Sequence, residues 1–200
     1  MRILVATMNE GKLREYERLL ADVPGIELET MACLPEPVDV IEDRDTFAGN
    51  ALKKATEIAA ASGMACLADD SGLEVDALGG RPGVYSARYA GEGATDTENN
   101  AKLLDELLGT AEQERTARFQ CSIALVDADG RKLAEAEGAC EGRIGAAPKG
   151  AHGFGYDPLF IPDGYDQTMA ELGPQTKNEI SHRAKAAAKL VPLLRRLRSR

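Results

Sequence analysis

Met1-Arg2-Ile3-Leu4-Val5-Ala6-Thr7-Met8-Asn9-Glu10-Gly11-Lys12 opens the chain, and the next turns carry apolar residues at Leu13, Tyr16, Leu19 and Leu20. Ile3 to Ala6 is a short continuous apolar run, the signature of a buried strand. Thr7 to Gly11 forms a loop, and the spacing from Lys12 to Leu20 is helical. Strand, glycine-bearing loop and helix in succession begin an α/β domain.

The same alternation continues downstream. Val23-Pro24-Gly25 ends the first helix, and Ile26 to Met31 alternates like a strand. Leu34 to Val40 is a Pro-rich connection, and Glu42-Asp43-Arg44-Asp45 is a charged turn. Asp45 or Thr46 can cap a helix running from Phe47 to Ala61, which Ser62-Gly63 stops. Met64 to Ala68 reads as a second buried strand that delivers the chain into a turn at Asp69-Asp70-Ser71-Gly72. The Gly/Pro-rich segment from Leu78 to Gly93 is too long for an ordinary connector and reads as a functional segment or a lid. Asp96 to Leu108 is an amphipathic helix. Phe119 to Val126 and Lys132 to Ala139 flank Asp129-Gly130, a hairpin signal. Gly150 to Asp157 is a second glycine-rich loop, followed by strand-like Leu159-Phe160-Ile161. Ser181 can cap a final helix whose cations at Lys185, Lys189 and Arg196 have the spacing of a solvated face.

Two hundred residues suit one domain over 1–200, and 44% hydrophobic residues are enough for a packed core. A formal net charge of −9 makes the chain a poor binder of nucleic-acid backbones, though converging cations and a divalent metal can still hold a polyphosphate. Cys33, Cys66, Cys121 and Cys140 form no C-x-x-C pair, sit among apolar or small residues, and read as buried free thiols of a reducing compartment, ahead of zinc ligands or disulfides. No apolar run approaches the about 18 residues of a membrane span, and the opening turns polar too soon for a signal peptide. These features place the protein in the cytoplasm with no membrane partner.

Several motifs carry chemistry. In Thr7-x-Asn9-x-x-Lys12 a strand-to-helix loop presents free N–H groups where the helix dipole favours an anion. Lys12 has the wrong sign for that dipole, and a bound anion would repair the mismatch. The alternative is an ordinary turn with a solvated lysine. Asp69 and Asp70 are adjacent, so only one can face a given side of a strand, and two neighbouring carboxylates repel unless a cation or hydrogen bonds compensate. The alternative is a turn with an Asp cap. Asn50 and Lys54 share a helix face and can hold phosphate oxygens, while Glu42 can accept a metal. Taken alone, these three read as solvated surface. Gly153-Phe154-Gly155-Tyr156-Asp157 sets two aromatics between glycines in a chain with only 4% aromatics. Aromatic faces stack on bases, and core packing is the competing reading. Lys177, Ser181, His182 and Arg183 gather donors at the head of the last helix, with His182 and Arg183 facing one spot that suits a carbonyl or phosphate oxygen.

Together and in this order, these motifs resemble the inosine triphosphate pyrophosphatase family, over nearly the whole chain. The matching stretches are Thr7-x-Asn9-x-x-Lys12, Phe47-x-x-Asn50-Ala51-x-x-Lys54-Ala55 and Ala68-Asp69-Asp70-Ser71-Gly72-Leu73. They continue with Gly79-Gly80-x-Pro82-Gly83-Val84-Tyr85-Ser86-Ala87-Arg88, Gly153 to Pro158, and Ser181-His182-Arg183. The resemblance implies an elongated, two-lobed α/β fold with a long central mixed sheet flanked by helices and the active site in the cleft between lobes. It implies a homodimer and the reaction of a nucleoside triphosphate with water to a monophosphate and diphosphate, preferring ITP, XTP and their deoxy forms. By the same resemblance the loop Thr7, Met8, Asn9, Glu10, Gly11 and Lys12, with Lys54, holds the triphosphate. Glu42 and Asp70 bind Mg2+, Asp70 takes the proton of the attacking water, and Ser71 contacts substrate. Phe154 stacks on the base beside Gly155, with Tyr156 and Asp157 shaping its pocket, and Lys177, His182 and Arg183 meet the 6-oxo edge. The chain departs from the family at Glu42-Asp43-Arg44, where Glu-Thr-Gly is usual, so Asp43 is an alternative to Glu42 as metal ligand. A related phosphohydrolase of pyrimidine nucleotides is the neighbouring alternative function.

Overall fold

The computed structural model describes residues 1–198 except Asp22, Pro35 and Pro37. The connection expected over 34–40 therefore includes two residues outside the described set. The described strands are β1 (Arg2–Val5), β2 (Glu27–Thr30), β3 (Ala65–Val75), β4 (Thr116–Val126), β5 (Lys132–Ile144) and β6 (Phe160–Pro162). The helices are α1 (Glu10–Leu19), α2 (Phe47–Ser62), α3 (Asp96–Glu106), α4 (Met169–Ile180) and α5 (His182–Arg198). The strands form one mixed sheet in the order β2-β1-β3-β4-β5-β6. β1 runs parallel to β2, with Ile3 opposite Leu28, and parallel to β3, with Ile3 opposite Ala65. β6 runs antiparallel to β5, with Arg143 opposite Ile161.

The chain forms two compact units. The first comprises Met1–Asp70, Cys121–Gly138 and Arg183–Arg200, and the second Ser71–Gln120 and Ala139–His182. In the first unit, one core lies among Ile3, Val5, Tyr16, Leu67, Ile123, Leu125, Leu190 and Leu194. Another gathers Leu4, Ala51, Ala55, Ile58, Cys66, Ala68 and Val126. Successive residues of β1 and β3 alternate between these two cores because strand side chains alternate faces. The second unit has its own core, including Leu73, Leu103, Leu107, Phe119, Tyr156 and Phe160.

Local sequence explains the helix limits. The Thr46 hydroxyl accepts from Gly49 N at 3.1 Å at the start of α2, and Gly63 ends it in the left-handed region at φ 65°. Of the two cap candidates, Thr46 is the one used. Ala51, Ala55, Ile58 and Ala59 form the buried stripe of α2. In α5 the buried residues Ala186, Ala187, Leu190 and Leu194 lie on one face, and Lys185, Lys189, Arg195 and Arg196 are exposed as expected. The Asp127–Arg131 turn closes the β4–β5 hairpin, with Asp127 Oδ1 accepting from Asp129 N and Arg131 N.

Three expectations need correction. The strand expected to end at Ala68 continues for 11 residues through Asp69, Asp70, Ser71 and Gly72 to Val75. Polar residues suggested a turn, but buried partners satisfy the two carboxylates inside the sheet. Second, α4 had no counterpart in the sequence reading. Gly173 at φ 77° and ψ 175°, followed by Pro174, interrupts its helical pattern. Third, Cys33, at the end of a short 3-10 turn at Met31–Cys33, is exposed, whereas Cys66, Cys121 and Cys140 are buried as expected. The segment over 78–93 is structured. It folds into 3-10 turns at Asp76–Leu78 and Gly83–Arg88. Ser86 Oγ accepts from Leu73 N, and Asn99 of α3 binds both Ala87 O and Ala90 N. Among the described residues, no helix is long and apolar enough to cross a membrane.

Candidate active site

In the first unit, β1 ends at Val5 and hands the chain to a loop built by its own side chains. Thr7 Oγ1 accepts from Asn9 N at 3.1 Å, and Asn9 Oδ1 accepts from Lys12 N at 3.1 Å as the N-cap of α1. Two polar residues are thus spent on shaping the turn. Met8 and Glu10 are exposed, and Gly11 and Lys12 are half-buried. Lys12 Nζ lies 3.4 Å from Asp69 Oδ2. The mismatch between Lys12 and the helix dipole is therefore compensated inside the protein.

Because β3 continues through them, Asp69 and Asp70 look to opposite faces. Asp69 is buried beside the fully buried Arg183, whose Nη2 donates to Asp69 Oδ2 at 3.0 Å and whose Nη1 donates to Glu15. Burial alone would raise the Asp69 pKa, but Lys12, Arg183 and Lys54 outweigh it and hold the carboxyl well below the usual range. Arg183 is correspondingly held in its charged form, against burial, by Asp69 and Glu15. Truncating one partner of such a network leaves an uncompensated buried charge.

Asp70 faces the other way, into a second polar cluster. Asn50 Nδ2 donates to Asp70 Oδ2 at 2.9 Å, and Asn50 Oδ1 accepts from Arg44 N at 2.8 Å. Asn50 is fully buried with both ends of its amide engaged, so it positions Asp70 and the 42–44 turn and does not hold a phosphate. The ammonium of Lys54 pairs with Glu42. Burial works against the Lys54 charge, and Glu42, Asp69 and Asp70 raise its pKa in spite of that. Asp70 moves in the opposite direction from Asp69. Burial first, then the neighbouring negative charge of Glu42, push it up to about 6. Asp43 turns elsewhere, pairing with Lys53 at 2.8 Å. It is thus the charge of Glu42 that acts on Asp70, while Asp43 is paired with Lys53.

Two carboxylates that repel each other suit a divalent cation. Among the described residues, no three His, Cys, Asp or Glu side chains form a cage. Magnesium needs no cage: it takes hard oxygen donors, commonly one or two carboxylates together with substrate phosphates. Glu42 and Asp70 fit that donor set.

The second unit carries the aromatic loop. Phe154 N donates to Asp157 Oδ2 at 3.0 Å, and Lys177 Nζ donates to the same oxygen at 2.6 Å. That ammonium also lies 4.2 Å from the centre of the Phe154 ring. Asp157 and Lys177 are both buried. Tyr156 is buried too, its hydroxyl donating to Ser86 O at 2.9 Å, so packing is its structural role, and burial raises its pKa. His182 stacks on Phe119, with centroids 4.9 Å apart and planes at 17°. Ser71, the first residue of this unit, is half-buried on β3.

Ser181, His182 and Arg183 are all buried. Ser181 ends α4 with extended backbone, its N donating to Lys177 O. His182 packs against Phe119, and Arg183 pairs with Asp69 and Glu15. Adjacent helical positions point about 100° apart, and a buried guanidinium goes where two carboxylates wait. Sequence reasoning missed Glu15, which looked like one more surface charge on α1. It also missed Asp96 and Asn100 of α3. Asp96 Oδ2 accepts from Gly155 N at 2.6 Å, and Asn100 Nδ2 donates to Gly155 O at 2.9 Å. A pair of buried asparagines, Asn99 and Asn100, inside an otherwise ordinary helix was the available signal.

A sequence model described as the Ham1 family matches residues 3–193. A dITP/XTP pyrophosphatase of Desulforamulus reducens is 52% identical over 197 residues, covering 98% of this chain and 97% of its own. One of Bacillus subtilis is 47% identical over 191 residues, covering 96% of both. A HAM1 protein from Coxiella burnetii superposes with a TM-score of 0.87 at 41% identity, over 97% of this chain and 98% of its own.

Proposed function

Since this chain belongs to the Ham1 family, we propose that it is a nucleoside triphosphate pyrophosphohydrolase, converting a triphosphate and water to the monophosphate and diphosphate. Its preferred substrates are ITP, XTP, dITP and dXTP, so that it clears damaged purine nucleotides from the precursor pool. One observation carries the chemistry: Asp70 is buried, aimed by Asn50, and raised to about 6 beside Glu42. A carboxylate with that environment can take a proton near neutral pH.

The polyphosphate is assigned to Lys12, Lys54 and the N–H groups of the Thr7–Gly11 loop, where cations and a helix N-terminus favour negative charge. Glu42 and Asp70 would hold Mg2+, which when bound offsets the charge of the phosphates. Asp70 accepts a proton from water as its oxygen bonds to the α-phosphorus. The bond from that phosphorus to the bridging oxygen breaks, and diphosphate leaves with the electron pair. Arg183 keeps Asp69 and Glu15 paired.

The base is assigned to Phe154, whose ring offers a stacking surface worth about 1–3 kcal/mol per base. Lys177 and His182 supply donors for a 6-oxo edge. An adenine there would leave a donor unpaired, at a cost of about 1–3 kcal/mol. We place the enzyme in the cytoplasm as a homodimer. The test is a panel of ITP, XTP, dITP, GTP, ATP and dUTP, with and without Mg2+, in which diphosphate and orthophosphate are measured separately. Diphosphate from ITP and XTP, dependent on Mg2+, is expected. Orthophosphate as the product, or equal turnover of dUTP and ATP, would overturn the reading.

A further inference from the structure

We propose that Asp96 and Asn100, on α3, are positioning residues that set the stacking surface of Phe154 by gripping Gly155 on both sides. The inference rests on the reading that Phe154 carries the base. Asp96 and Asn100 are four residues apart and share one face of α3. Asp96 Oδ2 accepts from Gly155 N at 2.6 Å, a short bond. Asn100 Nδ2 donates to Gly155 O at 2.9 Å and to Asp96 O at 2.8 Å. The donor and the acceptor of one residue are thus both held by one helix, directly after Phe154. Gly155 has φ 61°, so its backbone lies where other residues are strained and where its own freedom is greatest. A glycine in that position needs external bonds to keep one conformation.

The grip is anchored at its base. Thr95 and Glu98 form a capping box that fixes the start of α3. Asn99 binds Ala87 O and Ala90 N, tying the 83–91 segment to the same helix. Tyr156 then returns from the loop to Ser86 O. On its other side the loop is held by Asp157, which accepts from Phe154 N and from Lys177. Phe154 is thereby braced at its own N–H and at the following peptide, so its ring direction depends on α3.

The test compares Asp96→Ala, Asn100→Ala and Asp96→Asn with Phe154→Ala. The readouts are KM and kcat for ITP, the inhibition constant of inorganic tripolyphosphate, which has no base, and the melting temperature. In Asp96→Ala and Asn100→Ala, KM for ITP should rise about five- to tenfold, a share of the stacking contribution. Their kcat should stay within about twofold and tripolyphosphate inhibition should be unchanged. Asp96→Asn should restore KM, because its amide oxygen accepts the same N–H. If inhibition by tripolyphosphate weakens in parallel, or Asp96→Asn is as impaired as Asp96→Ala, the positioning role is wrong. If Phe154→Ala raises KM while the α3 variants do not, this inference fails and the base assignment stands. If Phe154→Ala leaves KM unchanged, the base assignment itself falls. Should the alanine variants not fold, amide hydrogen exchange in the unaltered protein decides. Gly155 N–H should exchange more slowly than the other amides of its loop that have no acceptor, and equal exchange would overturn the grip.

Discussion

Asp69 and Asp70 differ by one position and by one strand face, and that is enough to make them chemically opposite. Asp69 meets Lys12 and Arg183 and stays ionised to low pH. Asp70 is buried beside Glu42 and holds its proton up to about 6. Replacing Asp70 by Asn should lower the rate of diphosphate release by about a hundredfold to ten-thousandfold, the range of a lost general base. The same change should leave the melting temperature at pH 7 unchanged or higher. The raised pKa means that the folded state disfavours the ionised form above about 6, and the amide removes that charge. A variant with normal turnover would take Asp70 out of the mechanism. For Asp69 the sign is reversed. Its depressed pKa contributes stability that is full above the ordinary Asp range and is lost as pH falls through the folded value. Arg183→Ala removes the cation that makes this possible and strands Glu15 and Asp69. The expected cost is about 3–5 kcal/mol at pH 7, shrinking as acid protonates Asp69. Denaturant unfolding at pH 7 and pH 4 measures both figures, and an equal cost at the two values would contradict the network.

At the scale of elements, the edge of the sheet is tightly specified. A Cβ on Gly142 of β5 would lie 2.3 Å from the Ile161 carbonyl oxygen of β6 and 2.7 Å from the Phe160 ring. Gly142→Ala should therefore destabilise by about 1–3 kcal/mol through overpacking, read as a lowered urea midpoint. A neutral result would mean that β6 can shift freely. The elements also show where sequence reading works. α2 was legible from end to end, because Thr46, the alanine stripe and Gly63 are all local signals. The β4–β5 hairpin was legible for the same reason at Asp129-Gly130. β3 was cut short in the reading because carboxylates in a strand look like a turn until their partners are known. α4 was invisible because Gly173 and Pro174 mask its periodicity.

For the molecule as a whole, a net charge of −9 makes the few inward cations decisive. Lys12, Lys54, Lys177 and Arg183 each face at least one carboxylate. On the proposed reading, a polyphosphate competes with these internal anions, and a divalent ion at Glu42 and Asp70 would be its complement. Ligand carboxylates must be ionised to bind metal. The Mg2+ concentration needed for half-maximal activity should therefore fall as pH rises from 5 to 7 and level off above that. A requirement independent of pH over this range would remove Asp70 from the metal site.

Short-range pattern in the chain determined the α/β class, most helix and strand positions, and the set of motifs proposed to carry phosphate, metal and base chemistry. These follow from periodicity and capping, which act over a few residues. Only the tertiary structure decided which carboxylate each cation meets. Arg183 finds Asp69 across 114 positions and Glu15 across 168. Likewise α3 reaches Gly155 across 55 and 59 positions. Such pairings depend on burial, where an ion or amide must take whatever partner the packing brings near, and no local pattern records that choice.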